Sequence, residues 1–514
     1  MSGDFLLGID VGTSASKGVI VDLDGTVVAE HTVSHGVSMP RPGWAEHDAD
    51  AVWWRDFCAV SQALLAQSGL QGEDIAAIGC SAIAPCVLPV DAAGRPMRPA
   101  ILYGIDTRSA RQIQDLEREL GPDRILQTGG CALSTQSVGP KIRWLHDEEP
   151  ETYARADKFL TSTSYLVYRL TGEAPVDYYT GLAYGPLFNV HELDWDAEMC
   201  PAVVEPERLP RLGWTTEIAG SVRREAAAET GLAPGTPVII GTADASAEAV
   251  SVGVVAPGQM MIMYGSTMFF LQVRPSLTVD RRLWAGVYLF ERTYALAAGM
   301  ATSGSVTRWF RDELAAGEVA IERETGASAY ELLARAAAEI APGAEGLIVL
   351  PYFAGERTPL DDPLARGVIA GLTLAHTRAH VYRAVLEGTA FGVRHNLETM
   401  AGLGDAPTEL TAVGGGTRNH LWLQIVSDVV GLPQCIPAQA LGAAYGDAFL
   451  AGHGAGLFKD YRAIGDWVKV IDTVEPSIAT NARYEGIYPL YRALYEDSRE
   501  TVHALARLGA AWKE

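Results

Sequence analysis

Phe5-Leu6-Leu7-Gly8-Ile9-Asp10-Val11-Gly12-Thr13-Ser14-Ala15-Ser16-Lys17-Gly18-Val19-Ile20-Val21-Asp22 reads as two apolar strands joined by a tip of glycine and small hydroxyl residues, with a lysine just beyond. A backbone that turns this sharply presents N–H and O–H donors to an anion, which is how a protein holds a phosphate. Such tips are common in ordinary sheets, so a plain structural turn stands as the alternative for the hairpin alone. Asp10 weighs against it. An aspartate inside an apolar strand is costly to bury unless it is paired or serves a cation, and the Mg²⁺ that accompanies ATP phosphates is such a cation. The spacing of a Walker loop is absent. An echo returns at Met260-Met261-Ile262-Met263-Tyr264-Gly265-Ser266-Thr267-Met268-Phe269-Phe270, again apolar, then glycine with two hydroxyls, then apolar. Two phosphate hairpins predict a duplicated domain, divided into 1–250 and 251–514.

The chain of 514 residues is too long for a single core and long enough for two large domains. Its 40 basic and 63 acidic residues leave a net charge of −23, which argues against nucleic acid or an anionic membrane surface as partner. An anionic ligand would need local positive groups and backbone donors. The six cysteines, Cys58, Cys80, Cys86, Cys131, Cys200 and Cys435, form no C-x-x-C pair, so neither zinc nor a disulfide framework is indicated. The first residues lack a basic region, and the apolar run after them is interrupted at Asp10, unlike a secretory signal. A cytoplasmic location is therefore expected. Ala249 to Val273 carries no charged residue and could span a bilayer by length, but Pro257-Gly258-Gln259 splits it into two buried elements joined by a turn.

Along the chain, Asp24-Gly25 is a hairpin turn leading to a third strand from Thr26 to Val33. Asp50 is placed to cap a helix from Ala51 to Ser68. Asp74 to Ile83 is a buried strand. Val87 to Val90 and Ala100 to Tyr103 flank Asp91-Ala92-Ala93-Gly94 as a second hairpin, with Asp106-Thr107-Arg108 just beyond. Pro237 to Glu248 passes from strand to helix with Asp244 near the junction. Later come a strand from Tyr294 to Gly299, a helix opened by Gly304, a strand from Gly346 to Tyr352 and a long helix from Thr377 to about Met400. Then follow strand Leu410 to Val413, the triple glycine Gly414-Gly415-Gly416 and a helix from about Asn419 to Val430. A glycine run between strand and helix lets a flat ligand approach the backbone. The last helical stretch, Ala482 to Leu508, could pack on either domain.

These residues resemble the FGGY carbohydrate kinases over nearly the whole chain. Gly367-Val368-Ile369-Ala370-Gly371-Leu372, followed after seven residues by His380-Val381-Tyr382-Arg383-Ala384-Val385-Leu386-Glu387, fits that family's C-terminal signature, and Gly139-Pro140-Lys141-Ile142-Arg143-Trp144-Leu145 is similar to its N-terminal one. The resemblance implies an α/β fold of two ribonuclease H-like domains, as in actin and hexokinase, with ATP and sugar in a central cleft. It also implies Asp244 as catalytic base, a helix cap being the bland alternative. Thr13, Ser14, Gly265, Ser266 and Thr267 would donate to phosphate, Mg²⁺ would sit near Asp10, and Lys17 would add charge unless it is merely a solvated strand residue. Gly304, Gly415 and Gly416 would line the nucleotide, with Asn419 reaching the adenine; simple turn geometry is the alternative for these glycines.

Chain order and Pro42-Gly43-Trp44 with Glu46 are closest to xylulokinase-like members. Where those have a Met-His sugar contact, this chain has Ala84-Pro85, and their Trp-Asn-Asp-x-Arg is here Tyr103-Gly104-Ile105-Asp106-Thr107-Arg108. Tyr103 is then a stacking platform and Asp106, with Asp244, a hydroxyl acceptor. The expected activity is ATP-dependent phosphorylation of a small sugar or polyol, with xylulose first. Other ketoses or polyols, such as erythritol, ribulose or glycerol, are alternatives, and so is a non-kinase ATPase or regulator. No nucleic-acid or membrane partner is expected, and a homodimer is left open.

Overall fold

The computed structural model describes residues 3–438 and 441–511. It contains two compact units. The first runs to Pro257 and takes in Val273–Ala295 and Leu441–Lys469; the second holds Gly258–Gln272, the described residues between Leu296 and Leu441, and the chain from Val470. Two later segments of the chain, Val273–Ala295 and Leu441–Lys469, thus return to the first unit.

In the first unit six strands lie in one sheet: β1 (Phe5–Val11), β2 (Ala15–Asp22), β3 (Val27–Ser34), β4 (Ile75–Ala82), β5 (Ile218–Ser221) and β6 (Pro237–Ile239). Their order is β5-β6-β4-β1-β2-β3, and the two-residue strand Thr242–Ala243 lies beside the end of β4. The first three strands form the antiparallel meander that the Asp24-Gly25 turn predicts, while β1 and β6 run parallel to β4. Register sets a row of side chains across the sheet: Asp10 is opposite Lys17 on β2 and Ser81 on β4, and Ser81 is opposite Thr242.

Two helices sandwich this sheet. Arg55–Ser68 buries Phe57, Val60 and Leu64 against one face. On the other face lies Ala443–Gly454, brought close by glycines on the strands. A Cβ added at Gly8 would stand 1.8 Å from the carbonyl oxygen of Ala444, and one at Gly79 would stand 2.2 Å from that of Asp447. The same helix presses on helix Asp244–Ser251, where a Cβ at Gly446 would stand 2.1 Å from the Ala247 carbonyl. This contact is why a segment from late in the chain belongs to the first unit.

Two local expectations are corrected. The helix foreseen from Ala51 begins as a wide π-helical turn, Ala49–Trp54, and its cap is Asp48, which accepts from Ala51 N at 2.8 Å. Asp50 instead bonds the Tyr165 hydroxyl and Arg169. The wide turn buries both neighbouring indoles, with Trp53 donating to His47 and Trp54 to Glu229. Second, Leu88–Val90 and Ala100–Ile101 do not form a simple hairpin. The former pairs with Lys158–Leu160 and the latter with Glu46–His47, and the two arms meet at isolated bridges, Val87 with Ile101 and Val90 with Pro96.

The second unit repeats the plan. Strands β7 (Gln259–Tyr264), β8 (Met268–Arg274), β9 (Tyr294–Met300), β10 (Glu409–Val413), β11 (Gln434–Pro437) and β12 (Val470–Val474) follow the order β9-β8-β7-β10-β11-β12. An antiparallel hairpin, two parallel neighbours and an antiparallel edge strand recur in the sequence seen in the first sheet. The final helix, Ile478–Ala511, packs in this unit through a stripe of buried tyrosines, Tyr484, Tyr488, Tyr491 and Tyr495, at helical spacing. Among the described residues no helix is long and apolar enough to cross a membrane.

Candidate active site

In the first unit, the ends of β1 and β4 and the start of helix Asp244–Ser251 converge. Asp244 is the first residue of that helix and its Oδ1 accepts from Ala245 N at 2.8 Å, while the cap position belongs to Ala243. Glu248 follows one turn later on the same face. Burial pushes the Asp244 carboxyl up to about 6 and that of Glu248 up to about 7, the Asp244 charge adding to the latter and Lys17 opposing it. Asp10 is raised well above the usual carboxylate range by burial and by the charges of Asp244 and Glu248, against Ser81 and Lys17. A carboxylate with a pKa near 6 in such a place is poised to accept a proton near neutrality.

Two members of this cluster escape a sequence reading. Ser81 Oγ lies 3.2 Å from Asp10 Oδ1 and 2.6 Å from Asp447 Oδ2. Asp447 is fully buried, and burial raises its carboxyl strongly. Nothing local marks it, because it sits among alanines and glycines 437 residues from Asp10 in a helix that only the fold brings to β4.

A Mg²⁺ ion fits this chemistry. Among the described residues no three of His, Cys, Asp and Glu converge as a ready cage. Mg²⁺ keeps waters and is held by one or two carboxylates together with phosphate oxygens, and Asp10 offers such a carboxylate. The excess of buried acid around Asp10, opposed by the Ser81 hydroxyl and the charge of Lys17, is the kind of field a divalent cation relieves.

At the first hairpin tip, Gly12 N donates back to Ala15 O at 3.0 Å. The N–H groups of Thr13 and Ser14 donate to nothing among the described residues. Ser14 and Lys17 are exposed, and Thr13 Oγ1 lies 3.3 Å from the Tyr103 hydroxyl, joining the hairpin to the loop read as a sugar contact. Ala84 is half-buried and Pro85 buried, joined by a cis peptide directly after β4.

Asp106 is fully buried, and its carboxylate is already engaged. It takes Arg108 Nε at 2.9 Å, Arg108 Nη2 at 2.7 Å and Ala45 N at 2.7 Å. Arg108 also pairs with Glu46 at 2.8 Å and stacks 3.9 Å from the Trp44 ring centroid. The Pro42-Gly43-Trp44 loop and the Tyr103–Arg108 loop are thus joined by the buried ion pairs of Arg108 with Asp106 and Glu46, and a sugar hydroxyl at Asp106 would have to share an occupied acceptor. Gln136 was not foreseen; its Oε1 accepts from Gly104 N at 3.1 Å, and Thr135 Oγ1 donates to Gly104 O. Lys141 reaches Thr135 O, and burial lowers its ammonium to about 8.

In the second unit the other hairpin tip docks on a loop. Gly304 N donates to Gly265 O at 2.9 Å, and both Ser303 N and Ser305 N donate to Ser266 O at 3.0 Å. Ser266 and Thr267 are exposed, and their own N–H groups donate to nothing among the described residues. Gly415 and Gly416 lie in a 3₁₀ turn after β10; a Cβ at Gly416 would stand 2.8 Å from Tyr264 Cβ, whereas one at Gly415 would meet nothing within 4 Å among the described residues. Asn419 caps helix His420–Val430 by accepting from Trp422 N at 3.2 Å.

Comparison with known proteins gives a consistent picture. Residues 5–251 match the model of the N-terminal domain of the FGGY family of carbohydrate kinases, and residues 260–455 match that of its C-terminal domain. The chain is 32% identical to a glycerol kinase of Nocardia farcinica (strain IFM 10152) over 89% of this chain and 92% of that one. It is 27% identical to a gluconokinase of Bacillus subtilis (strain 168) over 95% and 94% of the two. A solved structure of xylulose kinase from Rhodospirillum rubrum matches with a TM-score of 0.90 and 31% identity, covering 97% of this chain and all (100%) of that one. The two units have the α/β fold of these kinases, related to actin and hexokinase. With the duplicated hairpin sheets and both halves matched in order, this chain belongs to the FGGY family of carbohydrate kinases.

Proposed function

We propose that the protein transfers the γ-phosphate of ATP to a hydroxyl of a small sugar or polyol, with D-xylulose to xylulose 5-phosphate as the first candidate. The observation that carries this is Asp244. It stands at the head of a helix beside Asp10, with its carboxyl raised to about 6, where a base that must take a hydroxyl proton is needed. In this mechanism the sugar hydroxyl gives its proton to Asp244 as its oxygen attacks the γ-phosphorus, and the bond from that phosphorus to the bridging oxygen breaks with its electron pair leaving on ADP. Thr13 and Ser14, and Gly265, Ser266 and Thr267, donate N–H and O–H groups to phosphate oxygens, and Lys17 adds charge. Asp10 would hold Mg²⁺, which when bound neutralises charge on the phosphate oxygens. Gly304, Gly415, Gly416 and Asn419 line the nucleoside.

On the sugar side, Tyr103 offers a ring, Ala84 and Pro85 a wall, and Asp106 anchors the loop through Arg108. The resemblance to a solved xylulose kinase supports a ketopentose, and a cytoplasmic, metabolic role follows from that substrate. Gluconate is less favoured, because its carboxylate would enter a field set by Asp10, Asp244 and Glu248. A panel of xylulose, ribulose, erythritol, glycerol and gluconate, assayed for ADP release with Mg²⁺, tests the proposal. Turnover strongest on xylulose is expected. Release of ADP with none of them, or at equal rates without any, would overturn the kinase assignment, and preference for gluconate would overturn the substrate.

A further inference from the structure

Within the second unit, three consecutive residues grip three others. Glu356 Oε1 accepts from Ala301 N at 2.6 Å and from Arg357 N at 2.8 Å. Arg357 Nη2 donates to Met300 O at 2.8 Å. Thr358 Oγ1 accepts from Gly299 N at 2.7 Å, and Thr358 N donates to Gly299 O at 3.2 Å. Glu-Arg-Thr is therefore matched one to one with Ala301, Met300 and Gly299 at the end of β9, and Thr302 Oγ1 continues the grip by donating to Pro351 O.

The chain leaves this grip directly into Ser303-Gly304-Ser305, whose N–H groups dock on Gly265 and Ser266. A Cβ at Gly304 would stand 2.5 Å from Gly265 O, so loop and hairpin are in contact with no slack. The hydroxyls of Ser303 and Ser305 are buried and have no partner among the described residues, an arrangement that costs free energy unless a ligand uses them. Glu356 is itself 5% exposed, and burial pushes its carboxyl up to about 7. A buried carboxylate is a poor choice for stability alone, yet its oxygen is well suited to hold two backbone N–H groups in one place.

We propose that Glu356 is a positioning residue for the nucleotide, fixing Ala301 so that the loop holds the Ser303 and Ser305 hydroxyls, and the Gly265–Thr267 tip docked on it, toward the phosphates of a nucleoside di- or triphosphate. This rests on the assignment of Gly265–Thr267 and Gly304 to the nucleotide. Thr358 contributes to the same grip through Gly299.

Titration calorimetry with ADP, in the absence of sugar, tests this on the wild-type protein and on Glu356→Ala, Glu356→Gln and Thr358→Val, with the sugar KM measured beside it. Glu356→Ala is expected to weaken ADP binding about tenfold, the scale of losing a charged hydrogen bond, with the sugar KM unchanged. Glu356→Gln keeps an acceptor oxygen and restores binding to within about threefold. ADP affinity equal to wild type in Glu356→Ala overturns the proposal. So does parallel loss of ADP and sugar binding, or Glu356→Gln falling as far as alanine, each of which marks a merely structural group. Should Glu356→Ala fail to fold, Thr358→Val decides: ADP weakened with sugar KM intact supports the grip, and unchanged ADP binding overturns it. A wild-type protein that does not bind ADP would instead overturn the nucleotide assignment itself.

Discussion

Replacing Asp244 by asparagine separates its charge from its shape. Turnover should fall about 10²- to 10⁴-fold, the usual worth of a general base, while ADP affinity stays near wild type; near-normal turnover at saturating sugar would remove Asp244 from the chemistry. Stability should move the other way. The Asp244 carboxyl is raised by burial from 3.8 to about 6, so its stabilising share is complete only below the unfolded value and is lost as pH rises through about 6. Above that pH the wild-type fold carries a buried charge that asparagine lacks. Asp244→Asn should therefore melt higher than wild type at pH 8, with the gain shrinking toward pH 5; equal gains at both would show that the charge is not the cause. Asp106→Ala is predicted to raise the sugar KM with little effect on the ATP KM. It should also cost about 3 kcal/mol of stability in urea unfolding, because Arg108 loses a buried bidentate partner. A stable variant with unchanged sugar KM would dissociate this network from the sugar.

Among the elements, helix Ala443–Gly454 is the most constrained, since it lies against β1, β4 and helix Asp244–Ser251 with backbone touching backbone. Gly8→Ala and Gly446→Ala should each destabilise by about 3 kcal/mol or more, because the obstructing atoms are carbonyl oxygens that cannot rotate away. Gly415→Ala, whose new methyl meets nothing within 4 Å among the described residues, should leave the melting temperature within about 1 °C of wild type. Thermal melts of the three variants check both statements, and an unaffected Gly8→Ala would mean the helix can shift outward.

For the whole molecule the net charge of −23 matters most when the ligand is also an anion. Backbone donors and Lys17 act within a few ångströms, whereas the acidic field reaches about 8–10 Å at physiological salt and further below it. Raising ionic strength from about 10 to 150 mM should therefore lower the KM for ATP and leave that of a neutral sugar unchanged. A KM for ATP that rises with salt would show that local positive groups dominate instead. Within each sheet the hairpin tip lies beside the end of its first parallel neighbour, and in each unit the tip N–H groups of Thr13 and Ser14, or of Ser266 and Thr267, have no acceptor among the described residues.

The sequence by itself determined what is local and periodic. Alternation and turn chemistry marked both hairpins, Asp10 stood out against its apolar neighbours, and Asp244 marked the strand-to-helix junction. Only the tertiary structure decided what depends on residues far apart in the chain. Asp48 rather than Asp50 caps the first helix because a π turn was needed to bury Trp53 and Trp54 together. Asp106 proved to be the partner of Arg108 because burial leaves a guanidinium no water to satisfy it. Asp447 reaches Ser81 and Glu356 holds Ala301 through contacts between segments 366 and 55 residues apart. Periodicity reports which way a side chain faces; which distant group it meets is set by the packing of whole elements, and a buried charge has to find its partner there.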